Sequence, residues 1–130
     1  MGRTWLLLAG LMGFTSVALG AFGAHGLKTR LGSLADGPQR LEWWQTAAHY
    51  HLTHALALAV AAYLAQQGAS GPARVAGIAF TLGIALFSGS LYTMTLTGIR
   101  VLGAVTPLGG LSLLVGWAAV AFGAWGLGEK

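Results

Sequence analysis

The sequence predicts an all-α fold: an integral membrane four-helix bundle with short connectors. Three observations carry that expectation. Only 10 of the 130 residues are charged, seven Lys or Arg and three Asp or Glu. That is 8%, against about 25% in soluble domains, so there are too few charges to cover a water-facing surface. Residues of the set AVILMFWYC make up 55%, with 21 glycines besides. Finally, four apolar runs are separated by glycine, proline and charge, and a bilayer-spanning helix needs about 20 mostly apolar residues. The composition excludes disorder, which needs low hydrophobicity and high charge. The glycines follow no collagen period. Without cysteine there is no disulfide framework, Cys-ligated zinc or iron–sulfur cluster.

The first span runs from Trp5 to Ala24, with Arg3 before it and Gly26 as its stop. A basic start, an apolar run and small residues at Ala18 and Gly20 also fit a signal peptide. The run exceeds a usual signal core, so it reads as a true span. Residues 27–37 form the most polar stretch, with Lys28, Thr29, Arg30, Ser33 and Asp36 broken by Gly32 and Gly37. Pro38 suits the first turn of the second helix, which extends to Gln67. Its length of roughly 45 Å exceeds the hydrocarbon core of about 30 Å, so its first turns, with Arg40 and Glu42, lie among headgroups. Trp43 and Trp44 then read as an interfacial anchor rather than an aromatic cage.

Gln66, Gln67, Gly68, Ser70 and Gly71 make the next connector, and Pro72 starts the third helix. That helix passes Ala85 and ends at Thr97 before Gly98. Residues 98–105 hold Arg100, and Thr106 with Pro107 supply an N-cap and a first-turn proline for the fourth helix. The expected spans are 5–24, 43–64, 72–97 and 107–126, in one transmembrane domain over residues 1–130. Glu129 and Lys130 form a short tail, and both termini lie on one side. Lys28, Arg30, Arg40 and Arg100 on one side face Arg3, Arg74 and Lys130 on the other. This slight excess places the 27–42 connector in the cytoplasm.

Helices in lipid pack through close backbone approach at small residues. The fourth helix carries Gly109, Ser112, Gly116, Ala119, Gly123 and Gly126 at alternating steps of three and four, the seam of a left-handed bundle. The first carries Ala9, Gly13, Ser16, Gly20 and Gly23. Gly13 to Gly23 (GFTSVALGAFG) aligns with Gly116 to Gly126 (GWAAVAFGAWG) at six identities. An ancient repeat and a shared glycine-rich composition explain this equally well. A third stripe, Ala76, Ala79, Gly83, Leu86, Ser90, Thr93 and Thr97, is expected to face the bundle interior.

The polar residues gather in one half of the bilayer. His54 lies ten residues after Trp44, roughly 15 Å along the helix and near the midplane. His51 shares its face at a spacing of three, Tyr50 neighbours it at a spacing of four, and His49 points elsewhere. Ser88, Ser90 and Tyr92 reach the same depth, about 12–18 Å before Arg100. Thr106 opens the fourth helix on that side. His25 closes the first, where a side chain able to donate to the last carbonyls is favoured.

A histidine inside a membrane is a functional candidate by default, and the favoured reading of this layer is interhelical hydrogen bonding. A haem would need histidines on facing helices, whereas the deep pair shares one helix. A proton pathway would be helped by an acid in the membrane, yet Asp36, Glu42 and Glu129 lie outside it. No acid orients a histidine towards Ser88 or Ser90 for a triad, and no P-loop motif is present. No catalytic, cofactor-binding or metal-ligating residue is therefore expected, and the protein is not expected to be an enzyme.

GAFGAHGL at Gly20–Leu27 is the first of several distinctive stretches. The others are the pattern Trp44, Thr46, Ala47, Tyr50, His54, Ala55, Leu56, then LFSGSLY at Leu86–Tyr92, TPLGG at Thr106–Gly110, and Gly116–Trp117. Together they resemble the small bacterial membrane proteins grouped as domain of unknown function family 423, related to eukaryotic transmembrane protein 256. The resemblance covers nearly the whole chain. It implies a four-helix, multi-pass protein of the bacterial inner (cytoplasmic) membrane and no assigned reaction, cofactor or catalytic residue. His25 and His54 fall within its motifs.

Two function classes remain. One is a structural or accessory protein whose partners are the lipid bilayer and either further copies of itself or a larger membrane complex. The other is a small transporter or proton-linked protein using the His51/His54 layer. Four-helix multidrug exporters are similar in size but depend on an acid in the first helix, which has none here. A water-accessible cavity reaching His54 would separate the two classes. Nothing resembles the clustered basic stripe that nucleic acid needs.

Overall fold

A computed structural model describes residues 1–128. The tail residues Glu129 and Lys130 lie outside the described residues. Every regular element among the described residues is helical. Helix α1 covers Gly2–Leu31, α2 covers Gly37–Gln66 and α3 covers Ser70–Thr97. A 3-10 turn at Arg100–Ala104 leads into α4 at Thr106–Trp125. Neighbours run antiparallel, since the connectors are only a few residues long. Helix α2 is central, flanked by α1 on one side and α3 on the other, and α4 packs mainly on α3.

Three helical stretches are long and apolar enough to cross a membrane: α1, α3 and Arg100–Trp125. Helix α2 falls short, because Gln45, Thr46, His49, His51, Thr53 and His54 dilute its apolar residues. One of its faces is buried, with Ala47, Ala55, Ala57, Ala61 and Ala62, while Leu52, Leu56 and Tyr63 on the other are exposed. These alanines let neighbouring backbones approach closely. The main core joins Leu58 of α2 to Phe80 and Ile84 of α3 and Leu113 of α4.

The helix ends differ from expectation in three places: the third helix begins at Ser70 rather than Pro72, two residues inside the expected connector; the other two lie at Gly26 and Thr106. Gly26 does not stop α1: the chain passes through a π-turn at Gly23–Leu27 and continues to Leu31. The continuation is rewarded by packing, since Leu27 and Leu31 form a small core with Trp44. His25 therefore sits within a helix rather than at its end. Thr106 likewise makes no side-chain cap. Gly98, by contrast, ends α3 as expected, in the left-handed conformation with φ 73°.

A second π-turn, at Ile84–Ser88, lies inside α3. A π-turn inserts one residue and rotates everything after it relative to the helix before. The small-residue stripe of α3 therefore holds only to its midpoint. Ala76, Ala79 and Gly83 are buried, whereas Leu86, Thr93 and Thr97 are exposed. Ser88, Leu91, Met94 and Thr95 take the interior places, and Ser90 remains buried.

The glycine stripe of α4 faces protein from Gly109 to Gly123; Gly126, just past the helix end, is exposed. Gly109 lies directly against the backbone of Phe87, inside the π-turn of α3. A Cβ at Gly116 would stand 2.5 Å from the Phe80 ring, and one at Gly123 would stand 2.8 Å from Pro72. On α1 the expectation fails for Gly13 and Gly20, where an added Cβ would meet nothing within 4 Å. Helix α1 is peripheral and packs chiefly on α2, so these glycines lie at the margin of its contact. Gly23 does face protein, with the Trp44 indole lying across it. Trp44 is thus no interfacial anchor: it is buried, and its Nε1 donates to the Leu19 carbonyl at 2.7 Å. Trp43 keeps the boundary position, with the Arg100 guanidinium 5.3 Å from its ring centroid.

Candidate functional site

The buried polar side chains form separate links between helices rather than one continuous layer. His51 joins three helices. Its Nε2 lies 3.2 Å from Thr15 Oγ1 on α1, and its Nδ1 lies 3.0 Å from the Tyr92 hydroxyl on α3. The Thr15 hydroxyl is 3.1 Å from the carbonyls of Leu11 and Met12 and can donate to them. All groups are satisfied when Thr15 accepts from His51 and Tyr92 donates to it.

His54 joins α2 to α4. Its Nδ1 lies 2.7 Å from the Tyr50 carbonyl, and its Nε2 lies 3.0 Å from Trp117 Nε1. An indole N–H only donates and a carbonyl only accepts, so a neutral His54 carries its proton on Nδ1. Both ring nitrogens are then used. The ring also packs against Phe80, with centroids 5.7 Å apart, and against Trp117 at 5.9 Å.

The hydroxyls make further links. Ser88 donates to the Ala47 carbonyl at 2.8 Å, tying α3 to α2. Ser90 and Thr106 pair at 2.7 Å across α3 and the start of α4. Ser112 donates to the Ala79 carbonyl at 2.7 Å, two turns further along the same helix pair.

Of the residues that the sequence singled out, the structure engages His51, His54, Ser88, Ser90, Tyr92 and Thr106. Tyr50 contributes its backbone carbonyl, while its ring packs on Phe87 with centroids 4.4 Å apart. His25 is exposed and stands apart from these links; its carbonyl accepts from Thr29 at 3.2 Å. Sequence reasoning missed Thr15, Trp117 and Ser112 as hydrogen-bonding partners. Trp117 had a visible signal, since it directly follows Gly116 in a distinctive motif; Thr15 had none beyond its neighbour Ser16.

A groove of about 570 Å³ reaches His54 from the side, lined among others by Tyr50, Thr53, Phe87 and Trp117. Its rim includes Leu111 and Leu114, both well exposed, so in a membrane it opens towards lipid. Among the described residues, no group of three His, Asp or Glu side chains is close enough to hold a metal ion.

Lys28, Arg30, Asp36, Arg40, Glu42 and Arg100 gather at the end of the molecule that holds the 27–42 connector, while Arg3 and Arg74 lie at the other. Arg40 Nε donates to Asp36 at 2.9 Å, and Arg100 Nη2 donates to Gln39 Oε1 at 3.0 Å while lying 3.7 Å from Asp36. The hydrogen bond from Arg40 holds the Asp36 carboxyl below its ordinary value of 3.8. Thr95 on α3 donates to the Arg40 carbonyl at 3.0 Å.

Long apolar helices, glycine-mediated contacts and buried polar side chains that, Trp5 Nε1 excepted, find partners inside the protein define a helical multi-pass membrane protein. The comparisons with known proteins agree. The family described as "Protein of unknown function (DUF423)" matches residues 19–110, more than half of the chain, and the chain belongs to that family. The UPF0382 membrane protein YwdK of Bacillus subtilis is 41% identical over 91% of this chain and 93% of its own length. The UPF0382 inner membrane protein YgdD of Escherichia coli K12 is 41% identical over 98% of this chain and 94% of its own. The UPF0382 membrane protein SH2409 of Staphylococcus haemolyticus is 40% identical over 88% and 89%. No solved structure matches the chain significantly. The protein resides in the bacterial inner membrane and crosses it more than once.

Proposed function

We propose that this protein is a non-enzymatic four-helix membrane unit that acts as a structural or accessory protein through helix contacts, with further copies or within a larger complex. In this reading α2 also crosses the bilayer, with one face buried against its neighbours and Leu52, Leu56, Val60 and Tyr63 turned outward, so both termini lie on one side. One observation carries the reading: His51 and His54 have both ring nitrogens engaged within the chain. A general base, proton carrier or metal ligand needs a nitrogen free to exchange its partner. Here that would mean breaking a link that holds two helices together.

A second reading rests on the lateral groove. Because it reaches His54, a transport or proton-linked role has a place to act. The two readings separate in vesicles of the purified protein carrying an internal pH dye. The structural reading expects no protein-dependent proton flux, and a melting temperature in detergent that falls in His54→Ala and partly recovers in His54→Gln. A proton flux that His54→Gln abolishes without lowering the melting temperature would overturn it.

A further inference from the structure

A basic concavity stands apart from the links that His51 and His54 make. It lies where the end of α1 meets the start of α2 and the end of α3, with a volume of about 340 Å³. Arg30, Arg40 and Thr95 line it together with Leu27, Leu34 and Leu96. We propose that this pocket binds the phosphate of an anionic phospholipid, with Arg40 as a fixed anchor, Arg30 as a closing arm, and the leucines as the bed for the adjoining chain.

Arg40 is built in place. Its Nε is held by Asp36 at 2.9 Å, its Nη1 reaches the Thr95 carbonyl at 3.5 Å, and its backbone carbonyl accepts from Thr95. Only 19% of its side chain is exposed. The guanidinium tip lies against Gly98, whose left-handed φ of 73° both ends α3 and leaves room for it. A guanidinium has five donors in a planar fork suited to phosphate. Asp36 and Thr95 take two of them, leaving three. Asp36 itself does not line the pocket.

Arg30 arrives by a different route. Had α1 ended at Gly26, the chain would have left the membrane before this point. The π-turn at Gly23–Leu27 carries the helix on to Leu31 and brings Arg30 to the pocket. Arg30 is exposed and has no acidic partner among the described residues. Around it, Lys28, Arg30, Arg40 and Arg100 outnumber Asp36 and Glu42 at this end, so an anion is attracted. Basic pockets between membrane helices are suited to anionic headgroups.

The walls choose the source of the phosphate. Leu34 and Leu96 are 41% and 59% exposed beside the two arginines. Free phosphate gains nothing from them, whereas a lipid lays its glycerol and first methylenes there. The zwitterionic headgroups of the bilayer satisfy the arginines less well, because each carries its own cation.

The test is native mass spectrometry of the full chain in a neutral detergent, titrated with phosphatidylglycerol and, separately, phosphatidylcholine. Phosphatidylglycerol is expected to bind more tightly. Arg30→Gln should weaken it by about fivefold, the effect of one basic side chain near an anionic surface, and leave phosphatidylcholine unchanged. Arg74→Gln, at the opposite end of the molecule, should change neither. Arg30 is exposed, so its variant keeps the fold, and an unchanged melting temperature verifies this. Equal binding of the two lipids would overturn the proposal, as would an Arg30→Gln variant that binds phosphatidylglycerol normally. Displacement of the lipid by millimolar inorganic phosphate would assign the pocket to free phosphate and overturn the lipid reading.

Discussion

Replacing His54 tests whether the α2–α4 link is structural. His54→Ala removes the acceptor for Trp117 Nε1 and empties a ring site that is 4% exposed. The two losses differ in size. A hydrogen bond inside a membrane protein couples its partners by about 0.6 kcal/mol on average and about 1.7 at most. Truncating a large buried side chain to alanine costs about 2–5 kcal/mol through lost contacts and the residual cavity. The cavity therefore dominates His54→Ala, and the total destabilisation is expected near the lower part of that range, because the Tyr50 carbonyl is an ordinary acceptor within its own helix. His54→Gln keeps an acceptor but loses the ring's packing on Phe80, so it should recover only part. A double-mutant cycle with Trp117→Phe isolates the hydrogen bond. Reversible unfolding of the four proteins in mild detergent should give a coupling of about 0.6–1.7 kcal/mol. A coupling indistinguishable from zero would refute the reasoning, because the 3.0 Å contact would then contribute nothing to holding the helices together.

The other expectations follow from single contacts. Gly116→Leu should destabilise the fold by about 1–3 kcal/mol or more, because a Cβ alone would stand 2.5 Å from the Phe80 ring; a thermal melt in detergent measures it. Gly20→Ala should leave the melting temperature unchanged or raise it, because the added Cβ meets no atom within 4 Å. Tyr92→Phe should destabilise by about 0.5–1.5 kcal/mol by leaving His51 Nδ1 without its donor, read in the same melt. Asp36 has a folded value below the ordinary 3.8, so its link to Arg40 contributes fully above that ordinary value and is lost as pH falls through the lower one. Asp36→Asn should therefore reduce the difference between melting temperatures measured at neutral and strongly acid pH.

Composition and spacing made the helices legible, but not their rotation about their own axes. Long apolar runs and punctuation by Gly98, Pro72 and Pro107 marked the elements because those signals act locally on the backbone. The stripe of α4 was legible for the same reason: no irregularity interrupts its period from Gly109 to Gly123. Both π-turns escaped detection, since none of their residues takes a positive φ and no residue type demands them. Each is favoured by a tertiary contact instead: the Trp44 indole on Gly23, and the backbone of Phe87 on Gly109. One inserted residue then moved Thr93 out and Ser88 in, which no fixed period could foresee.

The polar links show how neighbouring helices decide what a side chain does. His51 and His54 share a face by spacing, yet α2 lies between α1, α3 and α4, so residues one turn apart meet different helices. Which hydroxyl or indole completes each imidazole depends on those neighbours, and Thr15 and Trp117 could not be assigned from α2 alone. The low hydropathy of α2 has this origin only in part. Its inward face carries His51 and His54, which find protein partners, and alanines that admit neighbouring backbones, whereas Gln45, His49 and Thr53 lie on its exposed face beside Leu52, Leu56 and Tyr63. Adding apolar side chains to its buried face, as in Ala57→Leu, should impair folding even though it makes the segment better suited to a membrane, because Ala57 is only 1% exposed and lies within the main core. A variant with normal yield and melting temperature in detergent would show instead that the core beside Leu58 has room to spare.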